Sequence, residues 1–204
     1  MSIRPAAAEP EQIASPVKAS PRARILATAR ELFHRYGIRG VGVEAIAEAA
    51  GTNKMTLYRH FGSKDLLVAE CLRQFAEECT AEWEDIRSTE VEDPREQLSA
   101  WVRYITDMIN REANRGCALA NAAIELPDRD HPARRVIEEY KLMQRDMLDG
   151  WCRAAGYARP GQLADELFLL LEGARVTLQS IGSAGPGSRL AAMMLAVIER
   201  HERM

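Results

Sequence analysis

The sequence predicts an all-α protein of about nine helices, a short N-terminal three-helix unit followed by a larger helical body. Three observations carry this. Apolar residues recur every three or four positions along most of the 204 residues, the period of a helix with one buried face. No stretch alternates apolar and polar residues as a half-buried strand does. Helix starts and stops are also marked: Ser20-Pro21, Asp93-Pro94 and His131-Pro132 open apolar stripes, and glycines close several of them.

Residues 1–19 are rich in Ala, Pro and Ser without periodicity and are expected to form a disordered tail. Ser20 then caps a helix with Pro21 at its first position, and Ile25, Ala29, Leu32 and Phe33 follow at helical spacing until Gly37. Val43 to Ala50 reads as a short helix closed by Gly51, and Asn53 to Phe61 as another ended by Gly62. Ser63 opens a long helix with the stripe Leu67, Cys71, Phe75, Cys79, Trp83, Ile86. Asp93-Pro94 begins the next, with Leu98, Trp101, Ile105 and Ile109 on one face. A short apolar helix is expected within Gly116 to Leu126, stopped by Pro127. Val136, Tyr140, Met143, Met147 and Trp151 mark the helix after His131. Pro160-Gly161 precedes one reaching about Ile181, Gly182 to Gly187 reads as a loop, and Leu190, Met194 and Ile198 mark the last helix.

Composition narrows the function classes. A hydrophobic share of 47% with 28% charged residues is that of a globular chain, not a wholly disordered one. No apolar run approaches the roughly 20 residues of a membrane span. With no visible secretory leader, the expected location is cytoplasmic. Net charge is -3, but residues 1–67 carry ten Lys/Arg against six Asp/Glu, a local +4, and the remainder carries -7. A cationic module for a polyanion on an acidic body is the physical reading.

Residues 43–61, VEAIAEAAGTNKMTLYRHF, carry the sharpest signal. Two short helices are joined by a tight turn at Gly51, with small Ala47 allowing close approach and Leu57 plugging the angle between them. This is the requirement of a helix-turn-helix, whose second helix enters the major groove. On that second helix Thr52, Asn53, Lys54, Thr56, Tyr58, Arg59 and His60 can donate hydrogen bonds to phosphates or base edges, and an exposed Met55 can touch a base edge. Lys64, at the start of the following helix, and Arg39 are expected at the phosphate backbone; Arg22 and Arg24 read as backbone contacts or general field.

These residues carry a family resemblance. The stretch from Arg22 to Leu67, with ATARELFHRYGIRGVGV followed by AIAEAAGTNKMTLYRHFGSKDLL, resembles the DNA-binding domain of TetR-family transcriptional regulators. The resemblance implies a nearly all-helical homodimer, usually a repressor, whose C-terminal domain binds a small ligand and forms the dimer. Residues 116–155, beginning GCALANAAIEL, are similar to a C-terminal domain of part of that family. The implied division is a tail (1–19), a helix-turn-helix DNA-binding domain (20–66) and a ligand-binding and dimerisation domain (67–204). Gly42 is a departure: the family often has Thr or Ser there, capping the first motif helix and touching a phosphate.

In the body, Trp101, Tyr104, Met108, Met143, Met147 and Phe168 are bulky and adaptable. As core they need no explanation; as pocket lining they suit an apolar or aromatic effector. Asn121, Glu172 and Arg175 are the polar groups to orient such a ligand, although Glu172 and Arg175, three apart, equally form an ion pair. The apolar helix ending at Ile181 and the last helix supply two faces for a homodimer, which would set two recognition helices on a near-palindromic operator. No metal, cofactor or catalytic arrangement emerges: the four histidines lack ligand spacing, no cysteines form CxxC, and GSAGPGS lacks the Lys-Ser/Thr ending of a phosphate loop. Cys71 and Cys79 read as buried thiols, with a redox-responsive DNA-binding regulator as the alternative.

Overall fold

The computed structural model describes residues 19–88, 93–111, 116–182 and 185–204. The expected tail, 1–18, lies outside them. Among the described residues there are nine α-helices: α1 (Pro21–Tyr36), α2 (Val43–Ala49), α3 (Lys54–Phe61), α4 (Lys64–Ser88), α5 (Pro94–Arg111), α6 (Ala118–Glu125), α7 (Pro132–Ala154), α8 (Pro160–Ile181) and α9 (Leu190–Arg200). The fold is all-α, as the periodicity implies. Where the sequence suggests a plain loop after Gly182, a 3-10 turn, Pro186–Arg189, leads into α9. An isolated bridge between Tyr157 and Arg203 ties the chain end to the α7–α8 connection. No helix among the described residues is long and apolar enough to cross a membrane.

The punctuation works as its chemistry requires. Ser20 Oγ accepts from the Ala23 N–H and Asn53 Oδ1 from the Thr56 N–H, each satisfying an orphan donor of a helix first turn. Ser63 Oγ does the same for Leu66. His131 caps α7 through Nδ1, which accepts from the Ala133 N–H; its Nε2 sits 3.4 Å from Asp65 at the start of α4.

Three apolar clusters make up the interior. The first packs α1, α2 and α3 around Ile25, Ile46 and Leu57 and includes Leu67 and Cys71 of α4. The second joins the middle of α4 to α6 and α7, and takes in Ile38 from the α1–α2 connector. The third gathers the end of α4 with α5, α7, α8 and α9. At its centre the indoles of Trp83, Trp101 and Trp151 meet at 5.6–6.3 Å between ring centroids, one pair stacked and two edge to face, the spacing that favours aromatic pairs. Helix α4 runs through all three clusters, about 37 Å at 1.5 Å per residue for its 25 residues.

Candidate nucleic-acid interface

The geometry of the α2–α3 pair follows from its sequence. Ala50 and Gly51 end α2; Gly51 has φ +63°, the left-handed region that a side chain disfavours. The Thr52 N–H then donates to Ala47 O at 2.9 Å, closing the turn. Ile46, Ala47 and Leu57 are buried at the angle between the helices. With Leu57 and Phe61 turned inward, the helical period sends Met55, Arg59 and His60 outward, and Thr56 and Tyr58 lie half-buried at the flanks. Met55 is 77% exposed. An apolar, adaptable side chain held outward beside donors is suited to the groove edge, where a thymine methyl is within reach.

The expected DNA-contacting residues divide in the structure. Thr52, Asn53, Lys54, Met55, Thr56, Tyr58, Arg59 and His60 lie together on or beside the exposed face of α3. Two of them also have internal partners. Asn53 uses its side-chain oxygen as the cap of α3, which leaves only its amide N–H groups to reach outward. Lys54 donates to Glu44 on α2 at 2.5 Å; this hydrogen bond holds the Glu44 carboxyl below its usual range and Lys54 above its own. Arg39 is exposed on the α1–α2 connector.

Three basic residues are placed differently from expectation. Lys64 does not extend toward solvent at the start of α4: its Nζ donates to Ile38 O at 2.7 Å and lies 5.9 Å from the Phe33 ring centre, because the connector passes directly beside it. Arg24 is a clamp rather than a field charge. Its Nε donates to Ala50 O at 3.1 Å and its Nη1 to Ala19 O at 2.9 Å, so it satisfies a carbonyl at the end of α2. Arg22 pairs with Glu70 at 2.6 Å and lies over the Phe61 ring. Gly42 is the N-cap of α2 and makes no side-chain bond, as its sequence requires.

The expected effector residues are not gathered around one cavity. Trp101 is sealed in the tryptophan cluster, against which Tyr104, Met108, Met147 and Phe168 pack; the Tyr104 hydroxyl donates to Glu82. Met143 packs on the second cluster. Glu172 accepts from Lys141 at 2.7 Å and Arg175 at 3.0 Å, the ion-pair alternative. Large apolar side chains at helical spacing look the same whether they meet a ligand or one another, so periodicity alone does not separate them. Of these residues only Asn121 borders a cleft of about 570 Å³ where α1 and α4 face α6 and α8. Sequence reasoning missed this cleft because its walls come from four separate segments spread between Arg30 and Gln179, and nothing local marks them.

Cys71, Cys117 and Cys152 are buried and Cys79 is half-buried. Burial pushes Cys71 and Cys152 up to about 12 and Cys79 up to about 11, so all three are held as neutral thiols at physiological pH. Among the described residues no group of His, Cys, Asp or Glu is arranged to hold a metal ion.

A tight helix-turn-helix whose second helix presents donors outward defines a DNA-binding protein. Comparison with known proteins places it further. Residues 25–71 match the model for bacterial regulatory proteins of the tetR family. The chain is 30% identical to SCO4454, a TetR-family transcriptional regulator from Streptomyces coelicolor, whose crystal structure it matches with a TM-score of 0.77 over 88% of this chain and 92% of that one. It is 28% identical to the transcriptional repressor KstR2 of Mycobacterium tuberculosis (strain ATCC 25618 / H37Rv), over 86% of this chain and 87% of that protein. With KstR2 of Rhodococcus jostii it shares 36% identity, but over only 42% of this chain and 41% of the relative. The chain belongs to the TetR family of transcriptional regulators. It is accordingly a DNA-binding regulator and not an enzyme.

Proposed function

We propose that the chain is a homodimeric repressor that holds a near-palindromic operator and leaves it when a small molecule binds the body. The observation that carries the reading is the exposed face of α3, where Met55, Arg59 and His60 point away from a buried, capped hinge. In this reading Arg59 and His60 contact phosphates or base edges, Asn53 reads through its amide, and Thr52, Lys54, Tyr58 and Arg39 hold the backbone. The dimer forms through α8 and α9. Leu169 and Val176, on one face of α8, are exposed at 68% and 56%, and Met193 on α9 at 44%, apolar surface that a second copy would cover. Such a two-fold dimer sets its recognition helices about 34 Å apart, on successive major grooves. Repression follows the likeness to KstR2. A ligand, rather than thiol oxidation, is the favoured trigger because burial keeps three of the four thiols protonated.

The test is selection of bound sequences from a random duplex pool with purified protein at physiological salt. An enriched near-palindrome is the expected result. Recovery of no motif, with equal affinity for random duplexes at matched salt, would refute a sequence-specific regulator.

A further inference from the structure

The cleft between α1 and α6 has an unusual position: it lies under the helix-turn-helix unit rather than deep in the body. Phe33 and Ile38 form its wall on the DNA-binding side, and Leu72 and Phe75 its floor on α4. Opposite them stands α6, whose last residue, Glu125, reaches across. Glu125 Oε2 accepts a hydrogen bond from the Arg39 N–H at 3.0 Å, in the connector that leads into α2. The approach depends on Gly37, where a Cβ would stand only 3.0 Å from that carboxylate oxygen and where φ is +78°. One carboxylate therefore both borders the cleft and ties the body to the backbone preceding the helix-turn-helix.

We propose that this cleft is the effector site, and that its ligand is an uncharged, mainly apolar molecule bearing one hydrogen-bond donor, which competes with the Arg39 N–H for Glu125. This rests on the regulator reading above and adds the site, the ligand chemistry and the coupling. The volume, about 570 Å³, is that of a small-molecule pocket. An anion is not invited, because the arginine on the rim, Arg30, is already held bidentately by Glu78 at 2.7 and 2.5 Å. Glu125 is an acceptor with more lone pairs than its single backbone partner uses, so a ligand hydroxyl or non-basic N–H finds a partner there. A molecule in the cleft separates α6 from the connector. It thus binds the form with a released Glu125 better than the latched form, which is the differential affinity that coupling requires.

N-phenyl-1-naphthylamine, uncharged and apolar with one N–H and bright only when shielded from water, is the probe. Titration into the full chain should show saturable fluorescence, and the probe at saturation should weaken operator affinity at least fivefold. Operator DNA should weaken probe affinity by the same factor. Ala120→Trp on α6 fills the cleft and should weaken probe binding at least tenfold and bring the ratio of operator Kd with and without probe to one. If that variant melts early, Ala118→Phe fills the same space from the first turn of α6. The sulfonated analogue 1-anilinonaphthalene-8-sulfonate, the same skeleton with a charge, should bind this site at least tenfold more weakly. Glu125→Ala should bring the operator ratio toward one, and Glu125→Gln, which keeps an acceptor for Arg39, should restore it. Probe binding unchanged by both filling variants overturns the site, tighter binding of the sulfonate there overturns the ligand class, and an unchanged ratio in Glu125→Ala overturns the latch. Operator binding without any probe tests the regulator reading separately: its absence sinks that reading, whereas its presence with a probe titration unmoved by cleft filling sinks only the cleft.

Discussion

Arg24→Ala separates a clamp from a DNA contact. The guanidinium makes two well-formed hydrogen bonds, to Ala50 O at 3.1 Å and Ala19 O at 2.9 Å, and a third contact to Gly51 O at 3.5 Å that is at the outer limit of a bond. A hydrogen bond from a charged donor contributes about 1.5–3 kcal/mol, and less where water competes. The bond to Ala50 is part-buried and the one to Ala19 exposed, so the loss works out at about 2 kcal/mol for the pair together. Urea denaturation followed by circular dichroism reads this as a lower midpoint at constant slope. Operator affinity measured over a range of salt provides the second readout. A clamp carries no phosphate, so the slope of log K against log salt should match the wild type even though affinity falls. A lost phosphate contact instead flattens the slope by about one. An unchanged urea midpoint together with a flatter slope would refute the clamp and return Arg24 to the DNA.

Four further outcomes are expected. Lys64→Met keeps the packed stem but loses the bond to Ile38 O, so it should cost about 1 kcal/mol of stability and leave the salt slope intact; a flatter slope would put the ammonium on a phosphate. Asn53→Ala should lose the cap, about 1 kcal/mol, along with base preference, whereas Asn53→Ser should keep the cap and relax only the preference; full selectivity in the serine variant would exclude base reading. Leu169→Asp on the exposed face of α8 should yield a folded monomer by sedimentation velocity, and an intact dimer would move the interface elsewhere. Hydrogen bonds from Arg22 and Arg30 hold the Glu70 and Glu78 carboxyls below 4.5, so these α1–α4 pairs contribute above that pH and are lost as pH falls through the lowered values. Both pairs are partly exposed, so each contributes less than about 1 kcal/mol, and the stability gap between wild type and Arg30→Gln should shrink below pH 4.5. A gap constant with pH would contradict the pairing.

The helices were legible because their determinants are local. α8 ends at Ile181 as the sequence suggests and begins at Pro160 itself, two residues before the expected start, since an N-terminal proline and a following glycine act within one turn of the chain. The outward face of α3 was legible for the same reason: Leu57 and Phe61 fix which side is buried, and the period does the rest. What the sequence withheld depends on closure in three dimensions. Arg24 and Lys64 look like any cationic side chain until the α2 terminus and the connector are seen beside them. Trp101 and Met147 have the composition of a pocket, and only contact with Trp83, Trp151 and their neighbours makes them core. Glu125 is one acid among 30, and its reach to Arg39 spans 86 residues.

The continuity of α4 bears on how this protein can be recombined. A graft of its DNA-reading unit onto another regulator, cut after residue 66, would sever the interior of that unit, since Leu67 and Cys71 complete the cluster around Leu57. A cut later in the helix would carry over Val68, Leu72 and Ala76, whose neighbours Tyr140 and Leu119 would stay behind. Either junction leaves apolar surface without its partner. Exchange between relatives would therefore be tolerated chiefly where donor and recipient share the packing along this one helix, which makes α4 the unit of inheritance that links a given operator specificity to a given sensor.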